Sequence, residues 1–142
     1  MVSLSILVVD DSCVWRQAVC ALLHQNLDRV VICESSDGLE AVQKSQELQP
    51  DLVLLDIGLP NLNGLDAARQ IRSLAPRSRI LFVTSIDWPE LSHEAMNLGA
   101  RGLVVKSEAV RDLLRAISTI LRDERFFGRE VSPLDPAKPP RT

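Results

Sequence analysis

Five short apolar runs alternate with five longer amphipathic stretches along this chain of 142 residues. The runs occupy residues 5–9, 30–34, 52–55, 79–84 and 102–105. Continuous apolar runs of this length are typical of strands that are buried on both faces of a parallel sheet. Strict alternation of strand and helix favours right-handed crossovers, with helices on both faces. The sequence therefore predicts an α/β fold built on a doubly wound, five-stranded parallel sheet.

Capping residues and prolines predict where the helices begin and end. Ser12 and Asp37 are placed as N-caps of the first two helices. Pro50 ends the second helix, Pro76 follows the third, and Pro89 opens the fourth. Apolar spacing predicts one buried face on the first helix and one on the fifth. The residues expected on these two faces are Val14, Ala18, Val19, Leu22, Leu23, Val110, Leu113, Leu114, Ile117, Ile120 and Leu121.

Length and composition restrict the class of protein. We expect residues 1–128 to form one domain, and residues 129–142, which hold four of the eight prolines, to be an extended tail or a truncated linker. A net charge of −3 gives no basic field for nucleic acid or an anionic membrane. Direct DNA binding by this chain is not expected, because only the short tail follows the fifth helix. The three cysteines form no CxxC or CxxH pair, so neither a zinc site nor a disulfide framework is indicated.

The location follows from two absences in the sequence. No signal-peptide pattern opens the chain, and no apolar run approaches the length needed to span a membrane. The sequence therefore predicts a cytoplasmic protein.

Polar side chains stand at the ends of four of the predicted strands. Asp10 and Asp11 follow the first run, Asp56 follows the third, Thr84 ends the fourth, and Lys106 follows the fifth. In an open parallel sheet, ligands bind beyond the carboxyl ends of the strands. Burying an unpaired charge there costs roughly several kcal/mol. We therefore expect this cluster to take up a divalent cation and an anionic group.

Asp56 opens the most specific stretch of the sequence, DIGLPNLNG. Pro60 restricts the loop, and Asn63 with Gly64 opens the next helix. A carboxylate that is exposed and firmly held can attack a phosphorus atom and form an acyl phosphate. The stretch predicts that Asp56 is a phosphoacceptor.

The other strand-end residues supply what phosphoryl transfer requires. Asp10 and Asp11, together with Asp56, can hold Mg²⁺, which prefers carboxylate and carbonyl oxygens. Lys106 offers a positive charge, and Thr84 a hydroxyl, to the phosphoryl oxygens. Taken singly, the paired acids could be helix caps and the lysine or threonine ordinary surface residues. Their joint placement favours a phosphoryl site.

Five segments, VVDDS, SSDGLEAV, LLDIGLPNLNG, FVTS and GARGLVVK, resemble in this order the receiver domain of bacterial two-component response regulators. The chain is most similar to receivers of the LuxR/NarL type. The resemblance implies a flavodoxin-like (βα)5 fold with strand order 2-1-3-4-5. It also implies that Asp56 accepts phosphate from a sensor histidine kinase or from a small phosphodonor.

The same resemblance implies a role for each site residue. The Mg²⁺ ligands would be Asp11, Asp56 and the backbone carbonyl of Gly58, with Asp10 contributing through water. Thr84 and Lys106 would bind the phosphoryl group. The chain would be a phosphoacceptor rather than an enzyme, with at most self-catalysed phosphotransfer and autodephosphorylation. A homodimer would form through helix 4, strand 5 and helix 5, or through helix 1 and helix 5.

Leu103 departs from the receiver pattern. Receivers usually carry tyrosine or phenylalanine three residues before the lysine, as a switch that responds to the threonine. Leucine has no polar ring contact to make, so we expect the coupling from Thr84 to the outer face to be weaker or to run through packing alone. This leaves open an alternative, a pseudo-receiver that acts as a constitutive protein-interaction module. A phosphatase of the haloacid dehalogenase type is a third class, but it would need DxDxT where this chain has DDSCV.

Overall fold

Five strands of the structure, a computed structural model, coincide with the predicted apolar runs. The structure describes residues 3–86 and 88–127, so the predicted tail at 129–142 lies outside the described residues. The strands are β1 (Leu4–Val9), β2 (Val30–Ser35), β3 (Leu52–Leu55), β4 (Arg79–Thr84), β5 (Gly102–Val105) and β6 (Phe126–Phe127). The helices are α1 (Cys13–Asn26), α2 (Gly38–Leu48), α3 (Gly64–Leu74), α4 (Pro89–Asn97) and α5 (Ala109–Leu121), with a 3-10 turn at Lys106–Glu108.

The strands form one parallel sheet in the order β2-β1-β3-β4-β5-β6. This confirms the predicted order 2-1-3-4-5, but the sheet has a sixth strand that the sequence analysis did not predict. In β6, Phe126 pairs with Gly102 and Phe127 with Leu103. The two phenylalanine side chains pack against opposite faces of the sheet. Apolar packing on both faces therefore holds this short strand against the edge of β5.

Two apolar clusters, one on each face, cover the sheet. Alternate residues of β3 show the division, since Val53 and Leu55 belong to one cluster and Leu52 and Leu54 to the other. The first cluster packs against α2, α3 and α4, and the second against α1 and α5. Both faces are thus closed by helices, which confirms the predicted doubly wound architecture and leaves the strand ends as the place for a site. None of the helices in the described part is long and apolar enough to cross a membrane.

The predicted buried faces of α1 and α5 are wrong at three positions. Ala18 is exposed, Val14 is 77% exposed and Val110 is 96% exposed. In α1 the contact stripe instead runs through Val19 and Leu23, beginning at Trp15, which is partly buried. Each helical residue turns by about 100°, so an apolar residue one step from the stripe faces away from the core. The apolar pattern alone did not separate these outward valines from the buried ones.

Candidate functional site

The three predicted aspartates meet at the carboxyl edge of the sheet. One carboxylate oxygen from each of Asp10, Asp11 and Asp56 lies within 4.8 Å of the other two. Asp10 and Asp56 are buried, whereas Asp11 is exposed. The expectation that Asp56 is an exposed carboxylate is therefore wrong, because its side chain lies against Lys106 and Asp10 at the edge of the sheet. The sheet explains this arrangement, because Val9 and Leu55 are paired residues of adjacent strands and each is followed directly by an aspartate. The structure therefore brings together the carboxylates that the sequence analysis selected.

Lys106 reaches this cluster from β5. Its Nζ lies 2.5 Å from Asp10 Oδ2 and 3.3 Å from Asp56 Oδ2. Because β4 lies between β3 and β5, only a long side chain spans the gap from β5 to Asp56. Burial lowers the pKa of Lys106, but its close contacts with the Asp10 and Asp56 carboxylates outweigh burial and raise the pKa overall. The side chain therefore stays an ammonium at neutral pH.

Asp56 is held in one orientation by contacts to both carboxylate oxygens. Oδ1 accepts a hydrogen bond of 2.7 Å from the backbone N–H of Ile57, and Oδ2 faces Lys106. Burial raises the pKa of Asp56, the Lys106 charge opposes this, and the neighbouring Asp10 charge adds to it. The fold thus desolvates this carboxylate and crowds it with another acid. Additional positive charge would stabilise such a group.

The loop after Asp56 is braced by backbone contacts, as the sequence predicted. The N–H of Gly64 donates to the carbonyl of Ile57 at 2.7 Å, and the N–H of Gly38 donates to the carbonyl of Pro60 at 3.3 Å. Asn63 caps α3 by accepting from the N–H of Asp66. A Cβ atom placed on Gly64 would lie 2.0 Å from the carbonyl oxygen of Asp56. Glycine is therefore required at position 64, where α3 begins after the loop that follows Asp56.

Asp10 is fixed by the start of α1. Its Oδ1 accepts from the N–H of Ser12 at 2.8 Å, and its backbone carbonyl accepts from Arg16 at 2.5 Å. Arg16 also donates from Nε to Glu34 at 3.1 Å. The sequence pattern did not indicate Arg16, because an arginine on the first helix resembles any solvated helix charge. The turn between β1 and α1 is thus anchored to β2 by this arginine.

The carboxylate cluster fits a hard divalent cation. Its donors are carboxylate oxygens, which Mg²⁺ prefers. The buried Asp10 Oδ2 accepts no hydrogen bond in the described part of the chain, although it lies in close charge contact with Lys106. Gly58 is exposed in the loop beyond Asp56, with no atom within 4 Å of the position of an added Cβ. The fit to a cation therefore rests on the chemistry of the three clustered carboxylates.

Thr84 and Leu103 are both buried. Thr84 ends β4, and Leu103 lies in β5, the strand that Lys106 follows. The Oγ1 of Thr84 accepts from the N–H of Ile86 at 3.2 Å. No hydrogen bond joins Thr84 to Asp56 or Lys106 within residues 3–86 and 88–127, so its phosphoryl role stays a prediction. Leu103 lies in the core between its sheet neighbours Phe82 and Phe127. Packing, rather than a polar ring contact, surrounds the position of the usual aromatic switch.

Comparison of the sequence with family models and with curated proteins finds response regulators in both cases. The family model described as the response regulator receiver domain matches residues 6–118. The response regulator protein VraR of Staphylococcus aureus is 30% identical over 129 residues, which cover 91% of this chain and 62% of VraR. This chain thus spans less than two thirds of the length of that curated relative.

Two solved structures have the same fold. A LuxR-family two-component response regulator from Aurantimonas sp. SI85-9A1 has a TM-score of 0.81 and 30% identity, covering 88% of this chain and 89% of that one. The response regulator domain of CheB from Thermotoga maritima has a TM-score of 0.76 and 28% identity, covering 85% of this chain and 98% of that one.

Proposed function

Because this chain belongs to the response regulator receiver domain family, we propose that it is the phosphoacceptor of a two-component signalling system. In this proposal a sensor histidine kinase phosphorylates Asp56 in a Mg²⁺-dependent reaction. The observation that supports the proposal is the convergence of Asp10, Asp11, Asp56 and Lys106 at one edge of the sheet. Intact mass after incubation with Mg²⁺ and acetyl phosphate tests the proposal, since the wild type should gain one phosphoryl group and Asp56→Asn should gain none.

The contacts of the site suit an attack by Asp56 on phosphorus. A carboxylate oxygen forms the new O–P bond while the bond from phosphorus to the donor's histidine nitrogen, or to the oxygen of a small phosphodonor, breaks. Ile57 and Lys106 orient the carboxylate, and the Lys106 ammonium is close enough to turn toward a phosphoryl oxygen. Mg²⁺ held by Asp11, Asp56 and the Gly58 carbonyl, with Asp10 acting through water, would supply the positive charge that a dianionic donor requires. The protein itself acts as a phosphoacceptor, with at most self-catalysed phosphotransfer and autodephosphorylation.

Replacing Asp11 with asparagine is expected to weaken Mg²⁺ binding by roughly tenfold or more, because one charged oxygen ligand is lost. Asp11 is exposed, so the free energy of unfolding should change by less than about 0.5 kcal/mol. Isothermal titration with Mg²⁺ measures the affinity. Asp28→Asn, the same chemical change at an exposed position before β2, is the matched control and should bind Mg²⁺ like the wild type. Equal affinities for all three proteins would contradict the proposed metal site.

We further propose that phosphorylation shifts the population between two conformations through the packing around Leu103. The alternative is a pseudo-receiver that binds a partner constitutively, and Leu103 keeps that alternative open. Trp88 distinguishes the two, since it is 63% exposed at the start of α4, shortly after Thr84. A protein with Trp15→Phe carries Trp88 as its one tryptophan. We expect its fluorescence to change when Mg²⁺ and beryllofluoride are added. Phosphorylation by mass without any spectral change would favour the non-switching module.

The partners are also part of the proposal. Exposed Val14 and Val110 stand in the first turns of α1 and α5, close in sequence to Asp11 and Lys106, and offer apolar surface to a protein donor. We also propose a cytoplasmic location for the protein. A homodimer would form through α4, β5 and α5, or through α1 and α5. Since one relative is a LuxR-family response regulator, we propose that the whole protein controls transcription or a protein partner. The receiver itself would act without touching nucleic acid.

A further inference from the structure

The Lys106 ammonium has a third neighbour besides the two carboxylates. Its Nζ lies 5.0 Å from the centroid of the Trp15 ring. An ammonium over an aromatic face within about 6 Å is attracted by the ring quadrupole, and tryptophan gives the strongest attraction of the aromatic side chains. No sequence pattern connects Trp15 with Lys106, because 91 positions of the chain separate them. The lysine is therefore bound by two anions and one neutral ring.

The Trp15 ring is held by the same turn that carries the acids. The backbone N–H of Trp15 donates to Ser12 Oγ at 3.2 Å, while the N–H of Ser12 donates to Asp10. The side chain packs, partly buried, against the apolar cluster of α1 and α5. The next residue, Arg16, donates to the Asp10 carbonyl. The position of the ring is thus tied to the position of Asp10, and an ammonium in contact with both has a defined location.

The distances show why a neutral contact matters. Lys106 Nζ lies closer to Asp10 than to Asp56, at 2.5 Å against 3.3 Å. To bind a phosphoryl group on Asp56, the ammonium has to move from Asp10 toward the new oxygens. The ring attracts the ammonium without adding a negative charge that would compete with the phosphoryl group.

We propose that Trp15 is the positioning residue for Lys106 and holds the ammonium where it can turn from Asp10 to a phosphoryl oxygen. This inference rests on the proposed phosphorylation of Asp56. It assigns Trp15 no contact with the reacting atoms, so its effect on the reaction has to pass through the lysine. Two variants distinguish the effect of the aromatic face of Trp15 from the effect of its volume. Trp15→Leu removes the aromatic face, whereas Trp15→Phe keeps a weaker one.

The rate of phosphorylation by acetyl phosphate, followed by intact mass at saturating Mg²⁺, tests the proposal. We expect Trp15→Leu to slow the reaction on the order of fivefold, and Trp15→Phe to fall between it and the wild type. Trp88→Leu, the same change at an exposed tryptophan, is the matched control and should react at the wild-type rate. In a Lys106→Met background, Trp15→Leu should have no further effect. An equal slowing in that background would show that Trp15 acts through packing, and an unchanged rate in Trp15→Leu would also overturn the proposal.

A spectroscopic measurement covers the case in which Trp15→Leu does not fold. Trp88→Phe leaves Trp15 as the one tryptophan of the chain. Its emission should shift when Mg²⁺ and beryllofluoride draw the ammonium from the ring, and this shift should vanish with Lys106→Met. A shift of equal size without the lysine would refute the coupling. Failure of the wild type to gain a phosphoryl group would instead refute the proposed function, so the two failures are distinguishable.

Discussion

Replacing Asp56 with asparagine should abolish the gain of one phosphoryl group that the wild-type protein shows after incubation with acetyl phosphate and Mg²⁺. Asparagine keeps the shape of the side chain and an oxygen for the N–H of Ile57, but its amide is no nucleophile toward phosphorus. Intact mass spectrometry measures the gain directly. This is the largest effect that we expect from any single substitution in the chain, because it removes the acceptor atom itself.

The stability of Asp56→Asn provides a second readout. Burial and the neighbouring Asp10 raise the pKa of Asp56, so its ionised form is disfavoured in the folded protein. A raised pKa in an acid means that the group contributes stability below its unfolded pKa and loses that contribution as the pH rises. At neutral pH the asparagine variant should therefore melt at the wild-type temperature or above it, as measured by thermal unfolding.

The control for this experiment is Asp28→Asn, which should keep the full mass gain. A phosphoryl group on Asp56→Asn would show that another carboxylate is the acceptor and would contradict the assignment. A wild-type protein that gains no phosphoryl group from acetyl phosphate or a sensor kinase would contradict the proposed function. That result would favour the constitutive interaction module.

Replacing Gly64 with alanine should lower the free energy of unfolding by about 1–3 kcal/mol, the usual range for forcing atoms into packed space. The added Cβ would lie 2.0 Å from the carbonyl oxygen of Asp56 and 2.7 Å from Cα of Ile57. Both are backbone atoms, so neither can move without shifting the loop that follows Asp56. We therefore also expect slower phosphorylation. Urea unfolding measures the first effect and intact mass the second.

Gly58→Ala is the matched control for Gly64→Ala, since it adds the same methyl group to the same loop. No atom lies within 4 Å of a Cβ at Gly58, and its backbone carbonyl is retained. Its free energy of unfolding should stay within about 0.5 kcal/mol of the wild-type value. A loss of the same size in both variants would show that the loop resists any substitution, and would remove the special role given to Gly64.

The site could be predicted because parallel topology converts sequence position into spatial position. Once Asp10 and Asp56 are placed directly after buried strands, strand direction brings them to one edge of the sheet, and the adjacency of β1 and β3 brings them together. Lys106 follows by the same argument, with a side chain long enough to cross the end of β4. At Gly64 the sequence predicted only the start of a helix. The 2.0 Å approach of an added Cβ to the Asp56 carbonyl oxygen depends on the path of the loop, which the sequence pattern does not define.

The parts that could not be predicted depend on side-chain direction or on very short elements. Trp15 meets Lys106 only because α1 and α5 cover the same face of the sheet. Val14 and Val110 are apolar, as core residues are, and only their positions around the helix axes place them on the exposed sides of α1 and α5. Two residues, Phe126 and Phe127, are too few to produce a strand pattern. Apolar periodicity defines which elements exist, but neighbouring elements decide which atoms touch.

The short strand β6 also bears on aggregation. An edge strand presents unpaired N–H and C=O groups, to which a strand of another molecule can add. β6 occupies that edge at Gly102 and Leu103. At the opposite edge of the sheet, β2 carries the half-exposed Val31. Among the described residues, β2 and the two-residue β6 are the two edge strands. Since β2 is the longer edge, Val31→Lys is the substitution that we expect to reduce backbone pairing between molecules most.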